Sequence, residues 1–213
     1  MELIRRLVKP GNTVLDIGAN IGFYGRFFSD CVGPSGHVYC FEPDTGNFIH
    51  LKKEMHDKIN ATLIQKAIAS ETGMLTFYLS GLLNVDHRSY EPESYSSKKN
   101  IEKISIDDFV EKRFKVDFIK MDIQGFETVA LKGMKRTIDA NPGLVILTEF
   151  WPHGLLSAGS SPLEMYDLAV QLGFTISVVN GQSINQLSRE EAGSFKVEYF
   201  ADADLLLHKN NIL

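Results

Sequence analysis

The chain has 213 residues, 44% of them hydrophobic and 23% charged, with a formal net charge of −5 and an isoelectric point near 5.7. A length of that order suits one domain, spanning 1–213, that buries roughly 70% of its unfolded-chain surface without staples. The acidic balance argues against a constitutive partner among nucleic acids or anionic membranes. Cys31 and Cys40 show no C-x-x-C spacing and read as free thiols of a reducing, cytoplasmic compartment. No apolar run approaches the length of a membrane span, and residues 1–9 carry Arg5 and Arg6 without a signal core behind them.

In chain order, residues 1–9 read as a short amphipathic helix capping a sheet. Strand patterns follow at 13–17, 37–41, 61–65, 116–121, 144–150 and 174–179. Helical spacing lies between them at 46–55, 126–138 and 162–172, the last opening on Pro162 after Ser160-Ser161. This alternation predicts an α/β fold with a doubly wound, seven-stranded, mostly parallel sheet. Residues 203–208 form its seventh strand, returning antiparallel at the sheet edge. An extra strand at 74–79 follows the turn Glu71-Thr72-Gly73. The lysine and arginine pairs at 52–53, 98–99 and 135–136 read as solvated faces.

The most informative stretch is Val14-Leu15-Asp16-Ile17-Gly18-Ala19-Asn20-Ile21-Gly22-Phe23-Tyr24, an apolar run that meets an acid and breaks into a glycine loop before a helix. Gly18 and Gly22 permit a tight turn and close approach to a ligand, and the free N–H groups opening the helix favour a negative group. A dinucleotide fingerprint needs glycine where Asn20 stands, and no Walker lysine follows. What fits is S-adenosylmethionine (SAM), which offers a carboxylate to the helix start and a ribose diol to an acid. Glu42, at the end of the second strand pattern, is that acid. The glycines alone have a steric reading, since strand-loop-helix turns need them anyway.

Residues 14–24, Phe41-Glu42-Pro43, Lys66-Ala67-Ile68 and residues 116–133 fall in the order of a known family: the chain resembles the FkbM-type SAM-dependent methyltransferases. Residues 118–127 carry most of the likeness, with one departure, Gln124 where the family usually has glutamate. Gln124 cannot act as a base or an anionic metal ligand. The resemblance implies O-methylation of a hydroxyl on a sugar, glycolipid or polyketide-like small molecule. The cofactor set expected is Asp16, Gly18, Ala19, Asn20, Gly22, Tyr24, Glu42, Pro43, Lys66, Ala67, Asp122 and Gln124, with adenine near Lys66-Ala67-Ile68.

An alcohol must shed its proton as it attacks a sulfonium, and a strand-end carboxylate or imidazole within reach can accept it. Asp122 is the first candidate, against the alternative that it caps the following helix. Glu149 and His153 come second. Asp16 reads more readily as a loop organiser accepting backbone N–H groups, and Tyr24 as a cofactor contact or as packing. The long polar stretch 81–100 reads as an acceptor-binding lid or as disorder, and supplies His87 and Arg88 as acceptor residues. Trp151 is either an acceptor wall or a core aromatic. No metal is expected, since Asp122, Glu127, Glu149 and His153 show no ligand spacing. An RNA methyltransferase, a non-catalytic SAM-binding protein and a dehydrogenase are the rival readings; the oligomeric state stays open.

Overall fold

The computed structural model describes residues 1–79, 88–91, 95–111, 113–181, 183–197 and 202–209. The first half runs α1 (Glu2–Leu7), β1 (Thr13–Ile17), α2 (Phe23–Val32), β2 (His37–Phe41), α3 (Thr45–Glu54), β3 (Ala61–Ile64), β4 (Ala67–Ile68), β5 (Gly73–Leu79), β6 (Ser97–Ile104) and α4 (Ile106–Val110). The second runs β7 (Phe118–Met121), α5 (Glu127–Lys132), α6 (Lys135–Ala140), β8 (Val145–Phe150), α7 (Pro152–Ser157), α8 (Pro162–Gln171), β9 (Thr175–Asn180), β10 (Ser183–Gln186), α9 (Arg189–Ser194) and β11 (Ala203–His208).

Eight strands form the main sheet in the order β10-β9-β11-β8-β7-β1-β2-β3. Pairings from β8 to β3 are parallel, while β11 runs antiparallel to both β8 and β9. Chain order therefore reverses between β1 and β7, and ligands of open α/β sheets bind at such a switch point, outside the carboxyl ends of the strands.

The sheet divides two cores. Leu15, Ile17, Ile119, Met121, Ile146 and Leu205 pack with side chains of α4, α5, α6 and α8. Val14, Val38, Phe118, Leu147 and Leu206 pack on the opposite face with Ile4 of α1, Phe28 and Val32 of α2, and Leu51 of α3. The split follows from the period of two in a strand, which sends neighbouring side chains to opposite faces. It also means that Asp16, Lys120, Asp122, Glu149 and Asp204 share the parity of the α1–α3 face.

Three expectations are corrected. Residues 203–208 are antiparallel but lie inside the sheet, with β9 and then β10 beyond them; the hairpin β9-β10 supplies the edge instead. The helix expected over 126–138 is two helices, because the chain turns at Gly133-Met134. A side chain at Gly133 would place its Cβ 2.3 Å from the Ala69 carbonyl oxygen. Finally, residues 97–100 of the supposed loop belong to β6, which pairs with β4 and β5 in a separate three-stranded sheet. Residues 81–87 and 92–94 of that stretch, His87 among them, lie outside the described residues.

Because Gly133 has an ordinary φ of −91°, its constraint is purely one of space. Gly133→Ala should destabilise the fold by about 1–3 kcal/mol through this overpacking, read as a lower urea midpoint. An unchanged midpoint would mean that the Ala69 backbone yields freely.

Candidate active site

A cavity of about 600 Å³ opens at the carboxyl ends of β1, β2, β7 and β8. Gly18, Ala19 and Asn20 form one wall, Glu42, Pro43, Lys66 and Ala67 the next, and Asp122, Gln124, Glu149 and Trp151 the far side. The two ends meet through backbone. Gly18 has φ +81°, and a Cβ there would lie 2.0 Å from the Asp122 carbonyl oxygen. Gly125 approaches Gly154 in the same way, at 2.3 Å. Left-handed φ at Asn20 (50°) and Gln124 (58°) bends both loops toward the cavity, a conformation that costs a non-glycine residue of order 1 kcal/mol.

Glu42 is buried, and each carboxylate oxygen accepts one backbone N–H, Oε2 from Asn20 at 2.9 Å and Oε1 from Asp44 at 2.8 Å. Burial pushes its carboxyl up to about 7, although both bonds pull the other way. Each oxygen keeps a lone pair for a ligand hydroxyl.

The row predicted by strand parity is present. Lys120 lies beside Asp16 in register, its Nζ 3.2 Å from Asp122 Oδ2 and 4.9 Å from the Tyr24 ring centre. Burial opposes its charge, but Asp122 and Asp16 outweigh that and hold the ammonium above its ordinary range. The Gln124 amide donates to Asp122 Oδ1 at 3.0 Å and Glu149 Oε2 at 3.3 Å. Glu149 stands opposite Asp204 of β11, and burial, then Asp122, pushes it up to about 9.

Asp16 lies beneath the cavity, fully buried, and neither oxygen has a hydrogen-bond partner among the described residues. It therefore does not gather loop amides as expected. Gly22 begins α2 at φ +102° and faces Leu51 and Glu54 of α3, away from the cavity. Tyr24 lines the cavity and stacks on Phe28, serving both expected roles. Asp122 is not a helix cap, since Phe126 is the N-cap of α5 and Glu127 Oε1 takes the Ile123 N–H instead. Trp151 is 5% exposed and lines the cavity; the Arg88 guanidinium sits 4.7 Å above its ring. His153 stands behind Trp151, 5.4 Å between ring centres, and is not among the cavity residues. No group of three potential metal-binding side chains gathers among the described residues.

Sequence reasoning missed Lys120 and Asp204, and weighed Glu127 only as a metal ligand. Lys120 was legible in principle, two residues before Asp122 in a strand and hence on its face. Asp204 needed knowledge of strand order.

The donor set suits SAM. Asn20 Oδ1 is buried without a hydrogen-bond partner among the described residues, in a residue that lines the cavity. Glu42 presents acceptors to a diol, and Ala67, Ile68 and Phe77 make an apolar wall for a base. A parallel sheet with its cavity at the switch point, an acid ending the second strand and a glycine loop ending the first define the class I methyltransferase fold. Residues 16–176 match the methyltransferase FkbM domain, and the chain belongs to that family. S-adenosylmethionine is the cofactor of this family and fold.

The 2-O-methyltransferase NoeI of Sinorhizobium fredii (strain NBRC 101917 / NGR234) is 27% identical over 154 residues, 64% of this chain and 63% of that protein's length. Among solved structures, a putative rRNA-methylase from Clostridium thermocellum superposes with TM-score 0.58 at 14% identity, covering 99% of this chain and 93% of that one. Aeropyrum pernix fibrillarin with natively bound S-adenosyl-L-methionine gives 0.55 at 13% identity, covering 97% and 74%. No helix among the described residues is long and apolar enough to cross a membrane.

The raised carboxyls make stability depend on pH. Asp16 is pushed up to about 6 and Glu127 to about 7 chiefly by burial, alongside Glu42 and Glu149. Above the ordinary carboxylate range the unfolded chain releases these protons before the folded one does, so the folded state binds more protons and stability falls as pH rises. The urea midpoint of the ligand-free protein should therefore drop between pH 5 and pH 8, and Asp16→Asn should flatten the part below about pH 6. A midpoint that climbs over this interval would contradict the burial of these charges.

Proposed function

We propose that this protein is an O-methyltransferase that moves the methyl group of SAM to a hydroxyl of a small-molecule or glycan acceptor. The observation that carries the reading is one cavity lined at one end by Gly18 and Glu42 and at the other by Asp122 and Glu149. SAM, when bound, supplies an electrophilic methyl on a sulfonium. Everything else falls to the chain: binding the donor, orienting the acceptor, and taking one proton.

Glu42 holds the ribose with the lone pairs its two backbone bonds leave over. The first N–H groups of α2 would suit the carboxylate end, and residues 66–68 with Phe77 would hold the adenine by apolar contact. Asp122 accepts the acceptor's proton. Its two oxygens are anchored by the Lys120 ammonium and the Gln124 amide, which fixes the carboxylate toward the cavity while leaving lone pairs for the hydroxyl. Trp151, covered by the Arg88 guanidinium and almost fully buried, gives that side of the cavity an apolar edge. The whole chain acts as one methyltransferase unit. A ribose hydroxyl of RNA is the second acceptor class, since fold neighbours include a putative rRNA-methylase. The row of carboxyls and the net charge of −5 weigh against a polyanion.

Glu42→Ala should weaken SAM binding by about 1.5–3 kcal/mol, the range of hydrogen bonds involving a charged group. Unchanged affinity by calorimetry would remove Glu42 from the site. Asp122→Asn keeps the shape but not the basicity, so kcat should fall roughly 10²- to 10⁴-fold with SAM affinity retained. Methyl incorporation from labelled SAM into a panel of glycosides reads this out, and a near-normal kcat would make Asp122 structural.

A further inference from the structure

Gln124 makes a connection that its sequence position does not explain. Both hydrogens of its amide are used, one on Asp122 Oδ1 and one on Glu149 Oε2. The NH₂ group is the end that faces the carboxyls, because a carbonyl oxygen there would oppose the acceptor oxygens of Asp122, whose Oδ2 already lies 3.2 Å from the Lys120 ammonium. A neutral link joins two carboxyl groups without adding charge. Glutamate at this position would set three carboxyls in mutual contact.

The two joined groups have unlike surroundings. Asp122 has the Lys120 ammonium on its other oxygen. Glu149 has no ion pair among the described residues; it feels the charges of Asp122, Glu127 of α5, and Asp202, lies opposite Asp204 of β11, and is drawn more weakly by the Lys120 ammonium. It lines the same cavity as Asp122.

We propose that Gln124 is a positioning residue that makes Asp122 and Glu149 an unlike pair: Asp122 takes the reacting hydroxyl's proton, while Glu149, as a neutral acid, donates a hydrogen bond to a neighbouring oxygen, so that the site selects acceptors carrying two adjacent oxygens. The proposal rests on the O-methyl transfer reading and adds the acceptor's class. Glu149 is assigned the neighbouring oxygen because a donor placed on the attacking oxygen would hold back the lone pair that must reach carbon. The balance is simple. The acceptor O–H bond breaks and its proton goes to Asp122; the O–CH₃ bond forms; the C–S bond breaks and leaves its electron pair on sulfur. Glu149 keeps its proton throughout, and Asp122 passes its own to solvent after product leaves. Burial and the surrounding carboxylates, which push Glu149 up to about 9, agree with a neutral acid at physiological pH.

The test has two arms, both on the full chain. In the first, protein labelled with ¹³C at its side-chain carboxyls is saturated with S-adenosylhomocysteine and titrated by NMR. Glu149 should hold the neutral-acid shift at pH 7 while Asp122 holds the ionised one; in Gln124→Met, again saturated with S-adenosylhomocysteine, the two should move toward a shared proton. In the second, labelled SAM is offered with a methyl glycoside bearing adjacent hydroxyls and with its single-deoxy analogues. The wild type should favour the diol by at least about tenfold, the equivalent of one hydrogen bond to a well-placed partner. Glu149→Gln, which keeps an N–H donor, should retain that preference above pH 9, where the wild type loses it, and Glu149→Leu should abolish it. An ionised Glu149 at pH 7, or a deoxy analogue methylated as well as the diol, would overturn the proposal. Failure to bind S-adenosylhomocysteine would strike the cofactor reading itself, and this inference with it.

Discussion

The site depends on one steric constraint: the loops leaving β1 and β7 must pass each other at backbone contact. The Asp122 carbonyl oxygen occupies the place that a Cβ at Gly18 would take. Any side chain there would drive the loops apart and part Asp122 from the Gly18–Asn20 wall of the cavity. The contact of Gly125 with Gly154 repeats the constraint one strand further along and brings Gln124 against Glu149. Parallel pairing of β7 with both β1 and β8 sets the strand ends level, and the glycines let the loops use that alignment.

Around this constraint the chain accepts electrostatic cost. Asp16, Glu42 and Glu127 are buried carboxyls pushed up by desolvation, and Lys120 is the cation set among the acids. Burying an ionised group without pairing is expensive, so such groups retain protons or find a specific partner. Here the partners are unevenly shared: Asp122 has an ammonium, Glu42 has two backbone N–H groups, and Glu149 has an amide. A structure optimised for stability alone would fill these positions with apolar residues. Clusters of perturbed carboxyls at a cavity are instead the mark of a working site.

Much of this was legible in the sequence where the information is local. Val14-Leu15-Asp16-Ile17-Gly18 reads as strand and loop because β-branched and apolar residues end at a glycine, and Glu42 reads as a ligand acid because it ends a strand that has little other use for one. What escaped is what strand order decides. Nothing local in residues 203–208 says that they insert between β8 and β9, so Asp204 could not be set opposite Glu149. Ser97-Lys98-Lys99-Asn100 looks like a loop because its side chains are polar, yet its backbone pairs with β5. The break at Gly133 is hidden because the helical pattern runs on through it, and the closeness of the Ala69 backbone that keeps a side chain out of this position is not local information. Lys120 was in plain view and was passed over, although the period of two placed it beside Asp122.

The most direct test of the account is a crystal structure of the protein with S-adenosylhomocysteine. The ribose should lie on Glu42, the amino-acid end against the Gly18 loop, and the sulfur should face a space bounded by Asp122, Gln124 and Glu149. Ligand density elsewhere, or a sulfur turned away from Asp122, would contradict it.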